Sequence, residues 1–285
     1  MPTDNRLPLN RIERENRPDG SILLHNRAPL PDPLPDILDR FDHWTALDSN
    51  ATFISERAND GIRTTSYGEI DGRSDALAHD LAARGLAKGD AVAIIDGAGV
   101  LHAALKLACL KAGLVHVPLS PLLLASEHGR SRLAGLLTAA EPCLTVVPAQ
   151  TLPEELVALC GTVTTPGELS EVAAAQTPFE RPAADPSDPA AIYFTSGSTG
   201  DPKGVSITRR MIASCQSAYG VHWPFLAAHR PALIDWLPWH HVFGGLDNFH
   251  KMIWYGGAYH VELPPGPDNM DALAARIRDV RPTIH

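Results

Sequence analysis

Residues 191–207 read "AIYFTSGSTGDPKGVSI", a polar loop set between two apolar runs. Glycines at 197 and 200 let a backbone turn tightly and come close to a ligand without Cβ clashes. Successive N–H groups in such a turn form a nest for an anion. The hydroxyls of Thr195, Ser196, Ser198 and Thr199 can bond phosphate oxygens or meet a magnesium ion, and Lys203 adds a positive charge. Together these parts suit a polyphosphate. The spacing matches neither G-x-x-x-x-G-K-[ST] nor a G-x-G-x-x-G turn opening a helix. By composition alone, a plain Ser/Gly hairpin loop is the competing reading.

A second cluster follows at "PWHHVFGG", where His240 and His241 stand between Trp239 and Phe243, with Gly244 and Gly245 behind. Taken alone, this is a strand-to-helix turn with an aromatic core plug. A zinc site is a poor reading, because no other Cys or His group has ligand spacing. His222, His229 and His250 read as solvated or packed, and Asp247 as an acid near a helix start. The acids of "DRFDHWTALD" read as a solvated helix face.

The elements that must position these residues alternate in type. "YGEIDGRSDALAHDLAARG" puts Ile70, Leu77, Ala78 and Leu81 on one helical face and offers Gly85 as a stop. "DAVAIID" is a short apolar run suited to a buried parallel strand. "VLHAALKLACLKAG" is a helix, "LVHVPLS" a strand, 126–140 a helix and "CLTVV" a strand. After the loop come the strand "GVSIT", a helix from about Arg209 to Tyr219, the strand "ALIDWL", a helix near Leu246–Trp254, the strand "AYHVEL" and the helix "DNMDALAARIRDV". Such alternation predicts an α/β fold of layered βαβ units with mainly parallel sheets. The composition divides the chain into an extended proline-rich arm (1–36), a first α/β subdomain (37–176), a proline-rich linker (177–190) and a second α/β subdomain (191–285). Thr283–Ile284 reads as the first step of another strand, so the second subdomain is expected to be truncated.

With 285 residues and 44% hydrophobic content, the chain can bury a sizeable core. A formal net charge of -9 argues against general affinity for nucleic acid or acidic membranes. Four scattered cysteines fit reduced thiols, and no apolar stretch approaches the ~20 residues of a membrane span. A soluble cytoplasmic protein, with no nucleic-acid or membrane partner, is expected.

"YFTSGSTGDPKGV" resembles the phosphate-binding loop of the adenylate-forming superfamily, which includes acyl-CoA synthetases, luciferases and peptide-synthetase adenylation domains. "TTSYGEIDGRSDALAHDLAARGLAKGDAVAI" is similar to the family's N-terminal helix and strand, and "KAGLVHVPLSP" to its strand at a sheet edge. "PWHHVFGG" resembles the motif at the carboxylate substrate's site. "GSILLHN" with "DWLPWHHVFGGLDNFH" looks closest to feruloyl-CoA synthases and related aromatic acid–CoA ligases.

The resemblance implies an incomplete N-terminal domain of that fold and an ATP-dependent carboxylic acid–CoA ligase. A carboxylate attacks the α-phosphorus of ATP, and coenzyme A then displaces AMP. Thr195, Ser196, Gly197, Ser198, Thr199, Gly200 and Lys203 would hold the nucleotide, with Thr195 next to Mg²⁺. Lys203 and His241 would act in catalysis, and Trp239, His241, Phe243 and Gly244 would meet the acid. The glycines after His241 are expected to leave room for an acyl group. The family's adenine motif, ribose-binding aspartate and C-terminal lysine lie beyond what this sequence matches, and Lys251 is no substitute for that lysine. Two classes therefore stand. One is the N-terminal part of a ligase, partnered by a separate C-terminal half; the other is a non-catalytic piece that binds nucleotide weakly or serves a partner.

Overall fold

The computed structural model describes residues 12–26, 32, 34–58, 61–148, 152–172, 177–195 and 203–284. The chain opens on a hairpin of β1 (Ile12–Asn16) and β2 (Ile22–Asn26), paired antiparallel. Its turn is made by Arg17-Pro18-Asp19-Gly20, with Gly20 at φ +85° and donating to Arg17 O at 3.0 Å. The extended arm expected over residues 1–36 thus includes a pair of strands.

Helix α1 (Ile37–Leu47) turns Ile37, Leu38 and Phe41 into the core. The acids of this segment are not simply solvated: Asp42 receives a two-pronged bond from Arg181 at 2.7 and 2.8 Å. A hairpin of β3 (Thr52–Ala58) and β4 (Gly61–Ser66) follows. Helix α2 (Tyr67–Ala83) starts with a reciprocal cap, Glu69 N donating to Ser66 Oγ and Ser66 N to Glu69 Oε2. Ile70, Leu77, Ala78 and Leu81 are all buried along it, as the periodicity predicts.

Strand β5 (Ala91–Ile95), helix α3 (Val100–Ala112) and strand β6 (Val115–Leu119) form the first parallel unit. Helix α4 (Glu127–Ala140) leads to β7 (Leu144–Val146), and a short α5 (Glu154–Val157) leads to β8 (Thr162–Thr164). Beyond a short α6 (Pro166–Ser170) come β9 (Pro189–Thr195), β10 (Lys203–Thr208) and α7 (Arg209–His222). After a one-turn α8 (Phe225–Ala228), β11 (Ala232–Asp235) leads to a π-helix (Val242–Asn248) that continues as α9 (Phe249–Tyr255). Strand β12 (Ala258–Val261) and helix α10 (Met270–Val280) complete the order.

Two sheets result. The larger has the order β10-β9-β6-β5-β7-β8, all parallel except β10. The smaller has the order β11-β12-β3-β4, with only β4 antiparallel. Each sheet draws strands from both sides of residues 177–190, so the proline-rich segment does not separate one sheet from the other. Strand β6 sits between β9 and β5 with all five residues buried, which corrects the expected edge position.

The position of strand β5 explains its sequence. Val92 and Ile94 join the core formed with α1, α2, α3 and the smaller sheet, while Ala91, Ala93 and Ile95 join a second core against α4. A strand covered on both faces reads as a continuous apolar run. Ile284 pairs in parallel with Leu233 of β11, and Thr283 N donates to Ala232 O at 2.8 Å, in line with the strand start expected there. No helix among the described residues is long and apolar enough to cross a membrane.

Candidate functional site

The two motifs leave their sheets at the carboxyl ends of parallel strands, where open α/β sheets hold ligands. Strand β9 ends at Thr195, and β10 returns from Lys203 as its paired neighbour, so the hairpin closes with Thr195 opposite Lys203. Both side chains are exposed. Among the described residues the Lys203 ammonium has no hydrogen-bond or ion-pair partner. Ser196, Gly197, Ser198, Thr199 and Gly200 lie outside the described residues. No group of His, Cys, Asp or Glu among the described residues could hold a metal by itself.

The second motif follows β11. Asp235, at the strand's end, accepts from Leu237 N at 2.8 Å, Asn248 Nδ2 at 2.9 Å and Tyr259 Oη at 2.6 Å. These bonds turn the chain from strand into π-helix. Trp239 is 1% exposed, donates Nε1 to Tyr259 Oη at 2.9 Å, and packs edge-on to Phe249 and Tyr259. It is the core plug beneath the motif and has no surface to offer an acid, contrary to its expected substrate contact.

His241 is exposed at the N-terminus of the π-helix, its carbonyl held by Gly245 N at 2.9 Å. His240 is half buried with its ring 4.4 Å from that of His241, and burial, then the neighbouring ring, pulls it down to about 4. Val242 and Phe243 are exposed at 46% and 59% and give the motif an apolar face. Packing requires glycine at 244 and 245. A Cβ on Gly244 would stand 2.9 Å from Leu237 O, and one on Gly245 would stand 1.9 Å from Trp239 O. π-helical turns such as this recur at functional sites.

Sequence reasoning missed the polar layer beneath Phe243. Asp247 is buried and accepts from Lys251 Nζ at 2.9 Å, Tyr219 Oη at 3.0 Å and Gln216 Nε2 at 3.3 Å. Lys251 Nζ lies 4.1 Å from the Tyr219 ring centroid and 5.8 Å from that of Phe243. The i, i+4 spacing of Asp247 and Lys251 was the available signal. His250 is packed, as expected, and His229 is exposed.

Two cavities lie near these elements. One of about 370 Å³ sits at the far end of the β9–β10 hairpin, between Leu34–Asp36, Ala184–Pro186 and the start of α7. There Arg209 is closed off by Asp36 at 2.7 and 2.6 Å, away from Thr195 and Lys203. The other, about 300 Å³, is lined by Glu56, Gly97, Trp236, Leu237, Pro238 and Glu262 at the strand ends just before the histidine motif.

The fold and the two motifs define an adenylate-forming architecture, and comparison with known proteins agrees. The profile of the AMP-binding enzyme family matches residues 41–285, and the chain belongs to that family. It is 30% identical over 222 residues, 74% of its length, to a probable non-canonical nonribosomal peptide synthetase, CymA, of Salinispora arenicola. It is 31% identical over 194 residues, 66% of its length, to the fatty acid–[acyl-carrier-protein] ligase ScoC of Streptomyces coeruleorubidus. Among solved structures, the N-terminal subdomain of Klebsiella oxytoca NpsA in complex with 3-hydroxybenzoyl-AMSN superposes with a TM-score of 0.69 at 25% identity, over 86% of this chain. ATP-bound MatB of Rhodopseudomonas palustris gives 0.70 at 27%, over 85%. The chain spans 3% of CymA, 35% of ScoC, 58% of the NpsA chain and 48% of the MatB chain.

Proposed function

We propose that this chain provides the phosphate-binding and carboxylate-binding parts of an AMP-forming acid–thiol ligase. The observation that carries the reading is the closed end of the β9–β10 hairpin. There Thr195 and Lys203 face each other, exposed, on either side of a Gly/Ser loop at a strand's carboxyl end. A carboxylate oxygen bonds to the α-phosphorus of ATP while the bond to pyrophosphate breaks, and charge builds on the leaving group. Lys203 stabilises that charge electrostatically. His241 places the acid rather than deprotonating it, since a carboxylate is already ionised near neutral pH.

Coenzyme A is the acceptor in this reading, and an aromatic, ferulate-like acid is the substrate. The exposed Phe243 supports an aromatic acid, and so does the aryl adenylate analogue carried by NpsA. A second reading, in which these residues bind nucleotide without turnover and serve a partner, is the alternative outcome of the test below.

The test is ATP–pyrophosphate exchange with benzoic, ferulic and octanoic acids. Exchange should depend on an acid, with ferulic acid the best of the three. Lys203→Ala should slow it roughly 10–1,000-fold, as loss of one preorganised charge-stabilising donor does. Exchange that survives this change at the wild-type rate refutes the assignment, and nucleotide binding without exchange selects the second reading.

A further inference from the structure

Behind both motifs lies a group of buried basic side chains that the chemistry above leaves unused. Lys106 and His102 on α3, His116 on β6 and His250 on α9 are each no more than 2% exposed. His102 Nδ1 donates to Gly97 O at 2.8 Å, so its Nε2 accepts from His116 Nε2–H at 2.9 Å. Burial pulls both rings well below the ordinary imidazole range and keeps them neutral. His250 Nδ1 donates to Leu246 O at 2.6 Å. His116 Nδ1 and His250 Nε2 are left without partners among the described residues.

Lys106 stands among them with no carboxylate partner among the described residues. Its amine donates to Gly245 O, lies 3.4 Å from Tyr193 Oη, and rests 4.3 Å from the Phe249 ring centroid. Burying an amine costs free energy that a methionine of similar length would avoid. The position of its partners gives the amine a use. Tyr193 stands on β9 two residues before Thr195, and Gly245 lies one turn after His241, whose carbonyl Gly245 N–H holds. One amine thus grips the strand that ends in the phosphate loop and the helix that begins with the histidine.

We propose that Lys106 is a positioning residue that fixes β9 against the π-helix. It thereby sets Thr195, at the end of β9, and His241 at the separation where a bound carboxylate meets the α-phosphorus of ATP. This rests on the ligase reading above. Lys106 touches neither substrate. Its loss should leave each substrate's own contacts in place and spoil their mutual alignment, which is where misplacement by a fraction of an ångström is costly.

The experiment is acid-dependent ATP–pyrophosphate exchange by the full-length polypeptide expressed from its gene, with the best of the three acids named above. Lys106→Met keeps the stem and removes the donor. We expect kcat to fall roughly 10–100-fold while KM for acid and for ATP each change less than about threefold. Tyr193→Phe, which removes only the β9 end of the bridge, should lower kcat roughly 3–10-fold in the wild-type background and not at all in Lys106→Met. An unchanged kcat in folded Lys106→Met, a loss confined to the KM values, or additive effects in the double variant each overturns the proposal. Should Lys106→Met fail to fold, Tyr193→Phe decides alone, and an unchanged kcat there overturns it. If wild-type exchange is absent, or indifferent to Lys203→Ala, the ligase reading falls and this inference with it. If exchange needs Lys203 but not Lys106, only this inference falls.

Discussion

Lowering the pH from 7 to 5 should destabilise this protein through the His102–His116 pair. Burial holds His102 at about 3 against 6.5 for a free imidazole and pushes His116 in the same direction. In the unfolded chain both rings take up a proton below about pH 6.5, whereas in the folded chain they stay neutral. Unfolding therefore consumes protons. The stability these rings contribute is complete above pH 6.5 and drains away as pH falls toward the folded values. Integrated from pH 7 to pH 5, each ring that stays neutral removes about 2 kcal/mol, so the pair removes about 4 kcal/mol. A domain typically has only about 5–15 kcal/mol in total. Urea titrations followed by tryptophan fluorescence at pH 7, 6 and 5 measure the loss directly. Replacing both rings in His102→Leu/His116→Leu should flatten the dependence of unfolding free energy on pH by about 2–3 kcal/mol per unit near pH 5.5. Equal slopes in wild type and double variant would show that these rings are protonated in the native state, and the reasoning would be wrong.

Other consequences are local. Gly245→Ala puts a methyl group 1.9 Å from Trp239 O, which is backbone and cannot step aside, and should cost about 3 kcal/mol in urea unfolding. Asp247→Asn strands the buried Lys251 ammonium and should lower stability by about 3–5 kcal/mol, with Lys251→Met restoring much of it; a melting temperature unaffected by the first change would deny the pair its role. Phe243→Ala removes an exposed ring, so stability should stay within about 0.5 kcal/mol of wild type, while KM for an aromatic acid in pyrophosphate exchange rises roughly tenfold. An unchanged KM would take Phe243 out of the acid site.

What could be read from the sequence depended on how local its cause was. The faces of α2 and the apolar run of β5 follow from periodicity, and both elements lie where the pattern puts them. The β3–β4 hairpin escaped because "TFISERA" mixes charged residues with core ones, and its pairing partners include β12 far along the chain. The central place of β6 is likewise a matter of long-range order in the sheet. At the site, residue type misled. Trp239 and Phe243 are both aromatics of one motif, yet one is buried under the turn and the other faces outward. A signal for Lys106 did exist. Every residue from Ala103 to Cys109 in α3 is buried, and a helix apolar on all sides implies that a lysine within it is buried too.

The pairing of β3 with β12 has a consequence for how the protein is made. Ile54 lies against Tyr259, so one half of that ladder leaves the ribosome about two hundred residues before the other. At roughly 5–20 residues per second, the β3–β4 hairpin waits some ten to forty seconds for its neighbour. During that interval Phe53 and Ile54, both fully buried in the finished protein, have no sheet to cover them. The larger sheet's β5–β8 core can close meanwhile from residues already synthesised. Nascent-chain folding should therefore proceed from the middle of the sequence outward, with the earliest-made strands of the smaller sheet among the last to settle and the most dependent on chaperones.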